Sequence, residues 1–345
     1  MSNSLNQPLM RILIIGYGSI GKRHLKNLKS YFPNFSIAVL RHDISKRYQF
    51  ELDNCDHCFY DLEKAIKFKP HAAIIANPSS YHIKIAIALA KKKVNLLVEK
   101  PLSSSSKNVK ELIEICDKNR VLLKVAYNLR FLSSLQLFRK LILQGKIGKI
   151  LSVHSTVGQY LPDWRPNTDY RKTVSAQSSL GGGALLELSH EIDYIEWIFG
   201  KITSVAAIVS KQSNLKIDVE DTASLLMEVK TLKDSSKIVI SLNMDFNRHD
   251  QTRLCYAIGE KGTLKWNGVS NIVEYNSASE NEFQVLYSRR VNRNATYEDE
   301  IKAFIEEISG KESLLLATGS EGFSVVKVIE SAKKSSIEKC FVNLN

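Results

Sequence analysis

Arg11-Ile12-Leu13-Ile14-Ile15-Gly16-Tyr17-Gly18-Ser19-Ile20-Gly21 carries the reading of this chain. A short apolar run passes straight into a GxGxxG pattern, and an amphipathic stretch over 20–30 follows, so the glycines fall at a strand-to-helix turn. In that context the three glycines serve separate ends, namely a tight turn, close approach of the backbone to a pyrophosphate, and close packing of helix on strand. The helix N-terminus adds amide donors for the phosphate. Gly16, Tyr17, Gly18, Ser19, Ile20 and Gly21 are therefore candidate dinucleotide contacts. The plainer alternative is a glycine-rich turn of an α/β fold that holds no ligand.

Outward from this turn the alternation persists. Strands are expected at 36–41, 72–76, 95–98 and 121–126, with helices at 61–68, 81–92 and 105–119 between them. Such repetition predicts a parallel, doubly wound sheet, here a Rossmann domain over 10–126 behind a polar tail, 1–9. After Ala126 the rhythm changes. A helix near 135–144 stops at Gly145, a strand at 150–156 follows, and a long polar and aromatic segment, 158–180, carries Tyr160, Trp164, Arg165, Tyr170 and Arg171. Connections of that length tend to be functional. Past Gly181-Gly182-Gly183 one helix is expected over 184–199, then seven alternating stretches between 202 and 287, and closing helices at 297–309 and 319–335. Residues 127–345 thus read as a second α/β domain with a mostly antiparallel sheet.

Composition narrows the function classes. Forty-eight Lys and Arg against 36 Asp and Glu give +12 over 345 residues. The lysines are scattered along helical stretches, with no long basic run and no aromatic interleaving, so solvated faces rather than a nucleic-acid surface are expected. No apolar run approaches the roughly 20 residues of a membrane span. The first nine residues lack the pattern of a signal peptide, which leads to an expectation of the cytoplasm. Five dispersed cysteines fit reduced thiols. Cys55-Asp56-His57-Cys58 has the look of a zinc or redox element, but no second ligand pair follows at the right spacing, so no metal is expected.

Three further places carry chemistry. NAD sites usually hold an acidic residue about twenty positions beyond the glycines, to bind the ribose hydroxyls. Arg41 stands there instead, which favours NADP over NAD, although Asp43 lies two residues on and can also reach a ribose. Lys100, in Val98-Glu99-Lys100-Pro101, falls at the carboxyl end of a strand, where ligands of parallel sheets bind, and can stabilise charge on a substrate oxygen. Pro101 permits a cis bond. On the expected helix 184–199, Glu187, His190 and Asp193 are spaced three apart and share a side, which presents a histidine between two carboxylates as a general base. Ordinary ion pairs on an exposed helix are the alternative.

Together these motifs resemble one family, that of glucose-fructose oxidoreductase, inositol dehydrogenase and rhizopine catabolism proteins (Gfo/Idh/MocA). The resemblance rests on the glycine fingerprint, Glu99-Lys100-Pro101, Tyr127-Asn128-Leu129-Arg130-Phe131, and the glycine triplet leading to His190-Glu191-Ile192-Asp193. Ala76-Asn77-Pro78 with His82 is similar to the family's nicotinamide-side loop, which implies cofactor contacts at Asn77, Pro78, His82 and Glu99. It also implies hydride transfer at a sugar or cyclitol hydroxyl, Lys100 and His190 as the catalytic pair, and dimers or tetramers formed through the open sheet. Leu186 stands where the family often has Asp, so Glu187 and Asp193 both stay open as the carboxylate that orients His190. Leu186 to Asp193 instead resembles a branch linked to polysaccharide and sugar-nucleotide metabolism.

The resulting expectation is an NAD(P)-dependent oxidoreductase acting on a sugar, sugar acid or sugar nucleotide. Its candidate substrate contacts are Lys100, Asn128, Arg130, Tyr160, Trp164, Arg165, Tyr170, Arg171 and His190, the arginines suiting an anionic group. These arginines can also pair with neighbouring acids and only order the loop. Two alternatives use the same fold: a redox-neutral lyase or glycosidase with a tightly held cofactor, and a non-catalytic cofactor sensor.

Overall fold

The computed structural model describes residues 10–42, 55–232, 235–280 and 282–344. The tail 1–9 and Asp43 lie outside the described residues. Two units result, and the first is built around β1 (Arg11–Ile15), whose Ile12, Leu13, Ile14 and Ile15 are all buried. A strand apolar on both sides belongs at the centre of a parallel sheet covered by helices on both faces. It pairs in parallel with β2 (Ser36–Leu40) and β4 (Ala72–Ile75). Beyond them lie β3 (His57–Phe59), β5 (Asn95–Glu99) and β6 (Leu123–Ala126), in the order β3-β2-β1-β4-β5-β6. Direction of winding reverses between β1 and β4, which opens a crevice at the carboxyl ends of those strands.

The helices of this unit are α1 (Ser19–Tyr31), α2 (Leu62–Lys67), α3 (His82–Ala90) and α4 (Val109–Asn119). Asp61 caps α2 by accepting from the Lys64 amide at 2.9 Å, a local start signal of the usual kind. The segment Tyr297–Ser320, which the sequence reading assigned to the second domain, belongs to the first unit. Most of α8 (Ala295–Ile308) lies in it, and β15 (Ala317–Thr318) adds an antiparallel edge strand to β6. A buried ion pair, Lys124 Nζ to Glu307 at 2.6 Å, fastens it.

The second unit holds a nine-stranded sheet. Its strands are β7 (Ile150–Gly158), β8 (Gly200–Ser210), β9 (Thr222–Thr231), β10 (Lys237–Asp245), β11 (Thr252–Gly259), β12 (Gly262–Asn267), β13 (Ile272–Ser277), β14 (Gln284–Ser288) and β16 (Val342–Asn343). Among the described residues only β7 and β10 pair in parallel; every other neighbouring pair is antiparallel. Strict alternation gives the sheet one buried face: Ile238, Ile240, Leu242 and Met244 of β10 point inward, while Val239 is exposed. The helices of the unit are α5 (Ser133–Leu143), α6 (Ala184–Glu187), α7 (His190–Phe199) and α9 (Gly319–Glu338). Phe138 of α5 meets Phe199 edge to face, and Tyr194 of α7 meets Trp266 of β12 in the same way.

The expected single helix over 184–199 is two helices. Leu188 leaves the helical region (φ −98°, ψ 21°), so α6 ends at Glu187 and α7 begins at His190. Glu187 and His190 therefore do not share one continuous helical face.

Candidate active site

In the first unit the three glycines of the fingerprint are glycine for different reasons. Gly16 has φ +92°, and a Cβ there would come within 2.7 Å of Ala76 O and Asn77 N, so the end of β1 lies hard against the loop after β4. At Gly21 a Cβ would run into the Gly16 carbonyl. Gly18 is unlike both: a Cβ would meet nothing within 4 Å. Packing does not require glycine there, and the open space lies at the start of α1, whose first turn holds no acidic side chain and whose cap makes no side-chain hydrogen bond. A cradle of free space lined by amide donors suits a pyrophosphate.

Arg41 follows β2, buried, with its guanidinium carbon 5.2 Å from the centre of the Tyr17 ring. Lys22 Nζ lies 5.1 Å from the same ring. Two cations thus converge on the second residue of the fingerprint, an arrangement in which the ring's π face stabilises both. Across the crevice, Asn77 Oδ1 is buried without a hydrogen-bond partner among the described residues. An orphan acceptor at a ligand crevice fits the amide or hydroxyl donors of a dinucleotide. Pro78 turns the chain away into a 3₁₀ turn, Ser79–Tyr81.

His82 has a supporting position. It is fully buried, with Nε2 2.7 Å from the Asn77 carbonyl and Nδ1 3.1 Å from the Pro101 carbonyl. Burial holds its pKa below the usual histidine value, against the opposing pull of the two carbonyls. Each ring nitrogen faces one backbone carbonyl, so the imidazole sits packed between the loop after β4 and the loop after β5. Lys100, half-buried, starts that second loop, and the Lys100–Pro101 bond is cis. Glu99 is held on the protein side, accepting from His24 Nε2 at 2.7 Å and from the Lys100 amide at 3.3 Å. His24 was not among the residues that the sequence singled out. Its signal was there: a histidine three positions past Gly21, on the side of α1 that buries Leu25 and Leu28.

In the second unit His190 opens α7 and is largely buried, with the Tyr127 ring against it edge to face at 5.5 Å. Tyr127 is itself buried and donates a long hydrogen bond, 3.5 Å, to Ser189 Oγ. Burial and then the nearby Asp193 push the Tyr127 phenol well above its usual pKa. It stays a neutral wall rather than an acid-base group.

Asp193 and Arg130 face each other. Arg130 Nε donates to Asp193 Oδ2 at 3.0 Å and its NH2 to Oδ1 at 2.7 Å, with both side chains at most 2% exposed. A third bond, 2.9 Å, runs from Arg130 NH1 to Glu321 of α9. Burial by itself would lower the arginine, but the charge and hydrogen bonds of Asp193 overcome this and push its pKa up. Expected as a substrate contact and a catalytic carboxylate, the two form a closed bidentate pair. Asn128 is also engaged, donating to Thr296 Oγ1 at 2.7 Å.

Within the long loop, local bonds take up much of the expected substrate set. Arg171 makes a bidentate pair with Asp169 at 2.8 and 2.9 Å, Tyr170 Oη accepts from the Lys216 amide, and Trp164 Nε1 donates to Gln159 O. Tyr160 stacks at a tilt on His249, 4.3 Å between centroids. Arg165 is exposed. The four short 3₁₀ turns of this segment, from Leu161 to Leu180, are what these contacts organise. Among the described residues no group of three or more His, Cys, Asp or Glu is placed to hold a metal ion, and no helix is long and apolar enough to cross a membrane. All five cysteines are free thiols.

Two family models match the chain: an oxidoreductase family with an NAD-binding Rossmann fold at residues 10–127, and the GFO/IDH/MocA C-terminal domain at 135–265. The chain belongs to the Gfo/Idh/MocA oxidoreductase family. The family's myo-inositol 2-dehydrogenase from Thermotoga maritima is 26% identical over 97% of this chain and 98% of its own length. Among solved structures, a levoglucosan dehydrogenase in complex with NADH superposes with a TM-score of 0.85 at 20% identity, covering 98% of this chain and 100% of that one. The WlbA dehydrogenase from Bordetella pertussis, in complex with NADH and UDP-GlcNAcA, gives 0.80 at 22% identity, with 98% and 99% covered. At such identities the two structures establish that this Gfo/Idh/MocA chain has their fold.

Proposed function

We propose that this protein is a dehydrogenase or reductase acting on the CH–OH group of a sugar-type substrate. The observation that carries the reading is that Gly16, Asn77 and Lys100 follow β1, β4 and β5 at one end of one parallel sheet, beside the open space over Gly18. Glycine backbone and α1 hold the pyrophosphate, Asn77 Oδ1 accepts from a donor of the dinucleotide, and Arg41 with Lys22 receives a 2'-phosphate, which favours NADP over NAD. When bound, the nicotinamide dinucleotide supplies the hydride acceptor or donor.

The chain's own part is positioning and proton management. Lys100 Nζ donates to the substrate oxygen and stabilises the negative charge that develops as its proton leaves. His190 takes that proton in the oxidative direction and returns it in the reductive one. Tyr127 packs the imidazole from one edge, which limits its rotation. Two of the relatives named above are by name dehydrogenases of inositol and of levoglucosan, and the third is in complex with UDP-GlcNAcA, so a polyhydroxylated ring is the class they share. With Arg130 and Arg171 engaged by Asp193 and Asp169, exposed Arg165 is the residue of the expected set best placed to meet an anionic group. The outer face of the nine-stranded sheet, where Leu226 and Val239 are exposed, is the surface we assign to self-association.

Thermal shift with NADPH or NADH against a panel of cyclitols, free sugars, sugar acids and sugar nucleotides identifies the substrate, and absorbance at the reduced nicotinamide band then gives turnover. Lys100→Met and His190→Ala each lower kcat by roughly 10²-fold or more while dinucleotide affinity stays near that of the wild type. Wild-type turnover in either variant, or turnover with no net change in NAD(P)H, overturns the assignment.

A further inference from the structure

Within the dinucleotide-binding unit, one buried charged contact joins the two parts that the proposed reaction needs: α1, which begins at the pyrophosphate cradle, and the loop that begins at Lys100. His24, one turn into α1, is completely inaccessible to solvent, and its Nε2 lies 2.7 Å from Glu99 Oε1. Among the described residues its Nδ1 has no hydrogen-bond partner, so the ring's proton belongs on Nε2, donated to the Glu99 carboxylate. The second carboxylate oxygen, Oε2, accepts from the backbone amide of Lys100. Tyr297 closes the ring from the side, edge to face at 6.4 Å.

We infer that His24 is a positioning residue for Lys100, acting through Glu99; the inference rests on the catalytic role proposed for Lys100 above. The Glu99 carboxylate bridges a rigid helix and the peptide from which the lysine side chain departs. Each of its oxygens has a donor, and a carboxylate buried to this degree is held by those donors because losing either leaves an unsatisfied buried charge. The bridge fixes the direction of the Glu99–Lys100 peptide, and hence the place from which Nζ reaches the substrate oxygen. A shift of about 1 Å at such a group costs on the order of 10²-fold in rate without weakening ligand binding at a distance. Because His24 also lies on the helix that receives the pyrophosphate, one residue sets the lysine in register with the bound dinucleotide.

The test compares two replacements of similar size. His24→Leu fills the space but offers no donor, whereas His24→Gln places an amide N–H at the reach of Nε2. We expect kcat of His24→Leu to fall about ten- to hundredfold, His24→Gln to stay within about threefold of the wild type, and the Kd of NADPH from fluorescence titration to change less than about twofold in both. Glu99→Gln tests the same bond from its other end, with the His24 ring intact: its amide cannot accept from both donors, so kcat falls as in His24→Leu. The inference is overturned if His24→Leu and Glu99→Gln turn over like the wild type, if His24→Gln is as slow as His24→Leu, or if Kd weakens in step with kcat, which would make His24 a support of α1 alone. Wild-type turnover in Lys100→Met would instead defeat the proposed function, so the two failures are told apart.

Discussion

Asp193→Asn removes one charge from an ion pair enclosed within the second unit. In the wild type Asp193 receives two charge-assisted hydrogen bonds from Arg130, at 2.7 and 3.0 Å, and the two side chains are 1% and 2% exposed. The substitution leaves the guanidinium buried and charged, with Glu321 as its remaining carboxylate, and Glu321 is 41% exposed and so partly screened by water. Breaking a buried pair by deleting one partner costs about 3–5 kcal/mol, and two charge-assisted bonds at about 1.5–3 kcal/mol each lead to the same range. For a unit of this size that is on the order of 10 °C in Tm. Urea unfolding followed by tryptophan fluorescence is the natural assay, since the Arg130 guanidinium lies 5.5 Å from the Trp197 ring. Replacing both partners with apolar groups, as in Arg130→Met with Asp193→Leu, should recover much of the loss. The reasoning is refuted if Asp193→Asn loses less than about 1 kcal/mol while its kcat collapses. That outcome would return Asp193 to the catalytic machinery as the carboxylate that orients His190.

Further outcomes follow from the same contacts. Gly18→Ala should leave the melting temperature almost unchanged yet weaken dinucleotide binding roughly ten- to hundredfold, as its methyl enters the open cradle; Gly21→Ala should destabilise the fold itself, because its Cβ runs into the Gly16 carbonyl, and differential scanning calorimetry separates the two. Arg41→Asp should weaken NADPH binding by roughly 10²-fold and NADH binding far less, read by titrating both on one preparation; equal losses would remove Arg41 from the 2' position. Burial raises Glu196 to about 7, against hydrogen bonds from Ser324 and the Ile202 amide. A carboxyl whose folded pKa lies above its unfolded one favours folding fully below about pH 4.5, and that contribution is lost as pH rises through about 7, by no more than about 3 kcal/mol. Glu196→Gln should therefore flatten stability between pH 4.5 and 7 and exceed the wild type above it, which denaturant titrations at pH 5, 6, 7 and 8 would show.

The Rossmann unit was legible because its signals are local. Arg11 to Gly21 sets out strand, turn and helix within one contiguous stretch, and the glycine pattern in that setting marks a turn suited to close approach of a phosphate. The alternating runs after residue 200 announced the antiparallel sheet in the same way, since side chains of period two need only their own strand to be read. Lys100 could be placed at a strand end for the same reason. The helix over 184–199 misled because its apolar periodicity continues through Leu188, whereas the backbone breaks there. Periodicity reports which face is buried, and two short helices in line can bury a face as well as one.

Partners were beyond reach. Arg130 and Asp193 stand 63 residues apart and His24 and Glu99 75 apart, and no feature near either residue says which opposite charge it will meet. In sequence an arginine in a motif reads as a ligand for substrate, and an aspartate near a histidine reads as its orienting group. Only folding brings them within 3 Å of each other and excludes water from both, and burial then makes their mutual pairing obligatory, because a charge taken from water must find a counter-charge. The return of Tyr297–Ser320 to the first unit is of the same kind. Its amphipathic pattern specifies a helix with one face to bury, and the surface that covers that face is settled by tertiary packing, for which Lys124 and Glu307 supply the matching buried charges.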